Sequence, residues 1–199
     1  MRLSPNFTLE EMPCYERAGP TDVARIRTTA ERVLQPVRDR WGLTRVSSWK
    51  WWRSGCTPRS GSHAHGGTVD FTVPGADLRA VFDWGLKALM PLGYIGRWIY
   101  EPELRGPAGE VLQGAHIHMA PVADMVSAYG PSRGDSAAYV EGPQNVYTPV
   151  PGWGGASGAY GDPIELEGLT VTVSRSVPWW AKLFAAGIVF GLLFRSTGG

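Results

Sequence analysis

SHAHGGTVDF, residues 62–71, and the later segment HIH, residues 116–118, contain all four histidines of this 199-residue chain. Both segments hold a His-x-His pair, and random placement of four histidines would rarely produce that pattern. A catalytic zinc ion is held by three protein ligands, typically imidazoles and a carboxylate, and keeps a fourth position open. His63, Asp70 and His118 provide such a set. We therefore interpret the chain as being built around a metal-dependent hydrolytic site.

The residues around these ligands predict two strands that bring them together. Residues 68–73 alternate apolar and polar side chains, which places Asp70 on the face opposite the apolar ones. His116 and His118 are two positions apart on a second predicted strand, so both can face one metal ion. His63 precedes the first strand in a Gly-flanked loop that can reach back. Two neutral imidazoles and one carboxylate leave a zinc site with a net charge of +1, which lowers the pKa of a bound water towards ~7.

The elements on either side predict an α+β fold, with a small antiparallel sheet and flanking helices. Apolar residues at helical spacing predict the helices, and runs of β-branched and aromatic residues predict the strands. The predicted elements are a short helix from Leu9, a longer helix from Thr21 or Asp22 to Trp41 interrupted at Pro36, a helix over 76–89, and strands over 44–52, 68–73, 93–100 and 115–120.

Composition excludes some classes of partner. Nineteen basic residues are balanced by 18 acidic ones, so we expect no nucleic-acid partner. Cys14 and Cys56 form either one disulfide or two buried thiols, and the sequence favours neither. The absence of a C-x-x-C pair disfavours a thiolate zinc site. Residues 1–6 contain no apolar run, so we expect no secretory signal peptide.

The chain changes character after the predicted sheet. We expect a catalytic domain over 1–125, a Gly/Pro-rich linker with a short hairpin over 126–176, and an apolar C-terminal helix over 177–199. Residues 179–194 carry one charge, Lys182. Sixteen helical residues span ~24 Å, slightly less than the ~30 Å hydrocarbon core of a bilayer. This helix either anchors the protein to a membrane, which its uniformly apolar surface favours, or packs on the domain or on a partner subunit.

The histidine segments resemble those of a known enzyme family. The pattern HxxGxxxDF at 63–71 followed by HIH at 116–118 resembles the M15-type D-Ala-D-Ala metallopeptidases. It is also similar to the wider group that includes lysostaphin-like endopeptidases and the hedgehog signalling domain. LSPNFTLEE, residues 3–11, looks like the start of the M15 branch that is common in phage and bacterial cell-wall enzymes. The resemblance covers residues 3–122, and its specific part is the spaced His/Asp/His set.

The resemblance implies a fold, a cofactor and residue roles. The fold would be that of the hedgehog and D-Ala-D-Ala peptidase group, and Zn²⁺ would be bound by His63, Asp70 and His118. His116 would assist catalysis, either as a cation that stabilises an oxyanion or as a neutral proton relay. Arg53 is our candidate for the family's substrate-binding arginine, since a guanidinium binds a carboxylate through two parallel hydrogen bonds.

Two departures from the family pattern affect the catalytic residues. Some members carry an acidic general base three residues before the last ligand, and Ala115 occupies that position here. His116 or a nearby carboxylate such as Glu110 must then take the role, and we favour His116. The family arginine lies in a Ser-Gly-Tyr-Arg context, which residues 48–50 and 52–54 both match only in part.

The sequence therefore supports two hypotheses from different classes. The first is a zinc peptidase that cleaves peptide bonds next to D-amino acids in peptidoglycan stem peptides or cross-links. Without a signal peptide and with residues 179–194 as an anchor, it would be phage-encoded, associated with a virion or membrane, and active at the host cell wall during penetration or lysis. The second is a non-catalytic zinc protein with a structural, virion or wall-binding role, which the missing acidic residue at Ala115 favours. A cytosolic D-Ala-D-Ala dipeptidase is a weaker third hypothesis, disfavoured by the apolar tail.

Overall fold

The structure, a computed structural model, describes five segments of the chain, which are residues 1–51, 55–142, 146–153, 164–166 and 169–171. The chain divides into two compact units, Met1–Ala156 and Ser157–Gly199. In the second unit, Ile164–Leu166 pairs antiparallel with Leu169–Val171, in the region where we expected a short hairpin. The predicted apolar helix at 179–194 lies outside the described residues. None of the helices that are described has the length and apolar character needed to cross a bilayer.

The first unit contains ten described strands, numbered here in chain order. They are β1 Arg2–Ser4, β2 Phe7–Thr8, β3 Arg45–Ser48, β4 Val69–Thr72, β5 Ile95–Glu101, β6 Leu104–Arg105, β7 Val111–Gln113, β8 His116–Pro121, β9 Ala137–Gly142 and β10 Val146–Pro149. Six of them form one sheet in the order β10-β9-β5-β8-β4-β3, while β1–β2 and β6–β7 form separate antiparallel pairs.

Four α-helices among the described residues accompany the sheet. They are α1 Pro20–Thr29, α2 Gln35–Trp41, α3 Leu78–Ala88 and α4 Val122–Tyr129. Shorter 3₁₀ turns cover Leu9–Glu11, Tyr15–Arg17, Gly61–His65, Met90–Leu92 and Pro131–Arg133. The fold is thus mixed α+β with a six-stranded sheet. The sheet is not purely antiparallel as we predicted, because β5 and β9 run parallel.

The predicted interruption at Pro36 takes the form of a π-helical turn. Ala30–Leu34 has π geometry and joins α1 to α2 without a break in the helical path. Proline has no backbone N–H and its ring crowds the preceding turn, so an ordinary α-helix cannot pass through it unchanged. The wider turn just before Pro36 accommodates the ring. The helix therefore changes its geometry there and continues to Trp41, where Gly42 with φ 88° ends it.

The central strands divide their side chains between two different environments. Phe71 on β4, Trp98 on β5 and Ile117 on β8 are all fully buried on the face covered by the helices. Trp98 donates a hydrogen bond from its indole nitrogen to the Phe82 carbonyl of α3, at 3.1 Å. The alternate residues of the same strands face the other side, where the predicted ligands lie. Packing on the core face therefore sets the register of the strands, and this register determines which side chains meet at the site.

The predicted domain boundary at residue 125 is wrong. It falls inside α4, and β9 and β10 then extend the main sheet with residues of the predicted linker. The Gly, Pro and Ser content of this region reflects the turns between its elements. Ala137 and Ala138 are buried at the start of β9, within the sheet. Such small residues give little signal in a hydrophobic pattern. The first compact unit therefore reaches residue 156.

Candidate metal centre

Strand pairing brings two of the predicted ligands side by side. Asp70 on β4 lies directly opposite His118 on β8 in the antiparallel register. Side chains directly opposite each other on one face of a sheet have Cβ atoms about 4.5–5.5 Å apart. His63 lies on the 3₁₀ turn that precedes β4. The structure therefore gathers all three predicted ligands, one from a turn and two from adjacent strands.

The ligand atoms converge to the spacing that a metal ion requires. The candidate donor atoms of His63, Asp70 and His118 all lie within 4.8 Å of one another, and all three residues are buried. His63 Nε2 is 3.3 Å and His118 Nδ1 is 2.8 Å from the same carboxylate oxygen, Asp70 Oδ1. Ligands about 2.0–2.1 Å from a tetrahedral zinc are about 3.3 Å apart along an edge of the tetrahedron. This group could hold a metal ion, and the described residues contain no other group of this kind.

The protonation states also suit a cation. Burial opposes ionisation of Asp70, but the imidazoles of His63 and His118 outweigh it and hold the pKa of Asp70 well below its ordinary value. Burial lowers the pKa of His63, against the opposing effect of the Asp70 charge. Metal ions bind deprotonated ligands. At neutral pH this pair therefore offers an ionised carboxylate and a neutral imidazole.

One nitrogen of His63 is anchored and the other is left for a ligand. Nδ1 lies 2.9 Å from the Trp49 carbonyl, so that nitrogen carries the proton and donates. Nε2 is buried and finds no hydrogen-bond partner among the residues that the structure describes. An imidazole that donates to a backbone carbonyl from one nitrogen and offers a lone pair at the other is the usual arrangement of a metal-binding histidine. The hydrogen bonding of His63 therefore supports a metal site independently of the spacing between the ligand atoms.

A buried carboxylate holds the turn that carries His63. Asp124 Oδ2 accepts from the backbone N–H of Gly67 at 2.7 Å and of Thr68 at 2.8 Å, and from the Thr68 hydroxyl at 3.0 Å. Arg25 donates to the other oxygen, Oδ1, at 3.0 Å. Gly66 adopts φ 88°, and a Cβ there would lie 2.9 Å from an oxygen of Asp22. Glycine is therefore required, which gives a physical reason for this part of the HxxGxxxDF pattern.

The arginine beside the site is Arg59, which the sequence reading missed. Its guanidinium contacts Asp70 Oδ2 and the Ser48 hydroxyl. Our candidate Arg53 lies outside the described residues. Both arginines flank the same turn-rich loop, and sequence spacing could not tell which one returns to the sheet. The backbone N–H of Arg59 donates to the Lys50 carbonyl at 3.0 Å. Arg59 therefore lies on the part of the loop that returns to the sheet.

His116 is present at the site but its ring nitrogens face protein acceptors. Nε2 lies 2.8 Å from Glu101 Oε2, and Nδ1 lies 2.9 Å from the Gly114 carbonyl. Burial alone would lower the pKa of His116, but the hydrogen bond and charge of Glu101 outweigh it and raise this pKa to about 9. His116 is therefore cationic at neutral pH. This arrangement suits charge stabilisation better than proton relay, the two roles left open by the sequence.

A cavity of about 410 Å³ opens beside the ligand group. It is lined by Ser47, Ser48, Arg59, Asp70, Thr72, Glu101, Leu112, Gln113, Gly114, Ala115 and His116. The other base candidate, Glu110, is not among these lining residues. Its carboxylate accepts from the Ala108 N–H at 3.0 Å within the exposed β6–β7 turn. The cavity thus joins the candidate metal ligands to a mixed polar and apolar surface of a size suited to a small peptide segment.

A second carboxylate near the site, Glu141 on β9, was also missed. Burial and the negative charge of Glu101 raise the pKa of Glu141 to about 7, while His116 and a hydrogen bond from Tyr147 act in the opposite direction. A raised carboxyl pKa near a cleft is typical of functional sites. No motif in the sequence pointed to it, because its proximity depends on the parallel pairing of β9 with β5.

The two cysteines form a disulfide, which resolves the alternatives left open by the sequence. Cys14 and Cys56 are bonded, with Cα atoms 5.7 Å apart. The bridge ties the N-terminal segment to the loop that leads to Arg59. Arg17 donates a further hydrogen bond to the Cys56 carbonyl at 3.2 Å. The disulfide therefore supports one wall of the site from a distant part of the chain.

Comparison with known proteins identifies no relative of this chain. No family model, no curated protein and no solved structure matches it. Inferences about function therefore rest on the residues and geometry described above, together with the motif resemblance.

Proposed function

We propose that this protein is a zinc-dependent peptidase that cleaves peptide bonds adjacent to D-amino acids in peptidoglycan. The observation that carries the proposal is the buried His63–Asp70–His118 group, in which His63 Nε2 has no described hydrogen-bond partner. The M15-like spacing of these residues supports the substrate class and a fold of the hedgehog and D-Ala-D-Ala peptidase group. The cavity beside the ligands offers room for a peptide.

The donor set favours zinc over magnesium and calcium. Magnesium and calcium prefer carboxylate and carbonyl oxygens, whereas two imidazoles and one carboxylate form a common catalytic zinc set. Three protein ligands leave a coordination position for a water molecule or substrate. When bound, zinc would polarise a carbonyl oxygen and lower the pKa of a coordinated water to near 7.

The chain's own residues would bind and orient the substrate. Arg59 and His116 both line the cavity, and both carry positive charge at neutral pH. Such charges attract a substrate carboxylate and stabilise negative charge that develops on a carbonyl oxygen during hydrolysis. Arg59 is already held against Asp70, so it is positioned without a substrate. We assign it the anchoring role for which the sequence suggested Arg53.

The proposed setting is the host cell wall, with the protein associated with a virion or membrane and encoded by a phage. The motif resemblance and the apolar segment at 179–194 support this setting, and the segment is the proposed site of attachment. Peptidoglycan is the proposed partner, without nucleic acid, in agreement with the balanced charge of the chain.

Purified protein incubated with peptidoglycan tests the proposal. We expect new amino termini and released stem-peptide fragments with zinc present, and their loss after chelation. His63→Ala should abolish both zinc binding and cleavage. His65→Ala is the matched control from the same His-x-His pair, because His65 does not belong to the ligand group, and it should retain both. Zinc binding without any cleavage of peptidoglycan or its fragments would contradict the proposal.

Ala115 favours a second candidate function, a non-catalytic zinc protein that binds the wall or serves a structural role. Some enzymes of the family that the chain resembles carry an acidic residue at this position. His116→Ala separates the two functions. Loss of cleavage with retained zinc supports the peptidase, whereas zinc-dependent wall binding by a chain that never cleaves supports the alternative.

A further inference from the structure

The proposed peptidase lacks an obvious general base, and the cavity provides few choices. Its titratable lining residues are Arg59, Asp70, Glu101 and His116. A general base must be able to accept a proton and must lie within reach of the reacting water. Arg59 cannot act as a base, since a guanidinium keeps its proton in proteins. The choice is therefore between two carboxylates and one imidazole.

Hydrogen bonding excludes His116 as the base. A carbonyl oxygen and a carboxylate oxygen can only accept, so the ring nitrogens that face Gly114 and Glu101 must both donate. These contacts are 2.9 Å at Nδ1 and 2.8 Å at Nε2. The ring consequently has no free lone pair with which to take a proton.

Asp70 is excluded because both of its oxygens already have partners. Oδ1 lies between the nitrogens of His63 and His118, at 3.3 Å and 2.8 Å. Oδ2 contacts the Arg59 guanidinium. Proton transfer to this carboxylate would remove the negative charge that holds the ligand group together.

Glu101 remains, and its surroundings suit the role. It lies opposite His116 in the pairing of β5 with β8, at the cavity wall, and its side chain is 14% exposed. The bonds from His116 Nε2 at 2.8 Å and Gln113 Nε2 at 3.1 Å both end on Oε2. Two donors fix the orientation of the carboxylate, while Oε1 takes part in neither bond. Glu101 lies on β5, whereas Ala115, the position of the acidic base in some members of the family that the chain resembles, directly precedes β8.

We propose that Glu101 is the general base of the proposed peptidase and therefore a catalytic residue. The inference rests on the proposed function. The attacking water gives one proton to Glu101 as its oxygen forms a bond to the peptide carbonyl carbon. Glu101 then returns that proton to the leaving nitrogen as the carbon–nitrogen bond breaks. One water and one peptide bond give a carboxylic acid and an amine, and Glu101 ends in its starting state.

The experiment compares three variants with the unmodified protein in its zinc-loaded form. Glu101→Gln keeps the shape and still accepts from His116 but cannot act as a base, and Glu101→Asp retains a carboxylate on a shorter side chain. Glu103→Gln is the control, since Glu103 is exposed, lies just before β6 and forms an ion pair with Arg105. The measurements are kcat and KM on a defined muropeptide, the zinc dissociation constant by chelator competition, and the ring ¹⁵N shifts of His116 in zinc-free protein.

We expect Glu101→Gln to lower kcat at least ~100-fold, which is the lower end of general base contributions. KM and the zinc dissociation constant should stay within about threefold, and the His116 ring shifts should change because its partner has changed. Glu101→Asp should recover part of kcat, and Glu103→Gln should match the unmodified protein. An active Glu101→Gln variant overturns this inference alone. Loss of zinc in parallel with activity also overturns it, because Glu101 would then be structural. An inactive unmodified protein overturns the proposed function as well.

Discussion

The two faces of the central sheet use the same strands for opposite purposes. On one face, Phe71 and Ile117 are fully buried in the core. On the other face, their neighbours Asp70 and His118 are directly paired and gather ionisable groups around a cavity. Because alternate residues of a strand point to opposite sides, one register sets both arrangements. Packing on the first face thus supplies the rigidity that metal binding on the second face needs.

Replacement of Ile117, on the core face, should have the largest effect on stability. Ile117→Ala creates a cavity in a fully buried position, and changes of this type cost about 2–5 kcal/mol. The loss should be the same with zinc and with chelator, because the side chain points away from the ligand group. Urea unfolding under both conditions measures it. A loss seen only with zinc present would contradict the separation of the two faces.

Replacement of the adjacent His118, on the site face, should remove the response to zinc. At a zinc concentration 100 times the dissociation constant, binding to the folded state alone adds about 2.7 kcal/mol to the free energy of unfolding. We expect the unmodified protein and His65→Ala to show this gain and His118→Ala to lose it. Paired unfolding curves with and without zinc measure the difference. An undiminished zinc response in His118→Ala would mean that the ion binds elsewhere.

Asp124 supports the turn that carries His63, and its replacement should have an intermediate effect on the free energy of unfolding. Asp124→Asn weakens three hydrogen bonds to Gly67 and Thr68 and removes the charge that pairs with Arg25. Leaving a buried polar group unsatisfied costs about 1–3 kcal/mol. Zinc affinity should fall as well, since the position of His63 depends on this turn. Wild-type zinc affinity in a destabilised Asp124→Asn variant would show that the turn does not position the ligand.

The smallest effect concerns Glu141, at the border of the site face. Its pKa is raised from 4.5 to about 7, so between these values the folded state binds more protons than the unfolded state. The free energy of unfolding should therefore fall as pH rises through this window. Glu141→Gln should flatten the fall, by less than ~1 kcal/mol because the group is partly exposed and screened by solvent. Unfolding of zinc-free protein at pH 4.5, 6 and 7.5 measures it, and a steeper fall in the variant would contradict the assignment.

Sequence patterns located the ligand group but not the groups around it. Alternation along β4 and β8 placed Asp70 and His118 on one face, because a period of two is a local property of a strand. Arg59 and Glu141 depend instead on how a loop returns and on a parallel pairing between distant strands, which no local pattern encodes. The extent of the sheet was underestimated for the same reason, since β9 begins with small residues. The disulfide between Cys14 and Cys56 likewise depends on long-range folding.

A crystal structure of the zinc-loaded protein, with anomalous scattering collected at the zinc edge, tests the central claim most directly. We predict one ion per chain, about 2.0–2.2 Å from His63 Nε2, an Asp70 carboxylate oxygen and His118 Nδ1, with a further position facing the cavity. An ion bound by other residues, or no ion at this group at saturating zinc, would contradict the account.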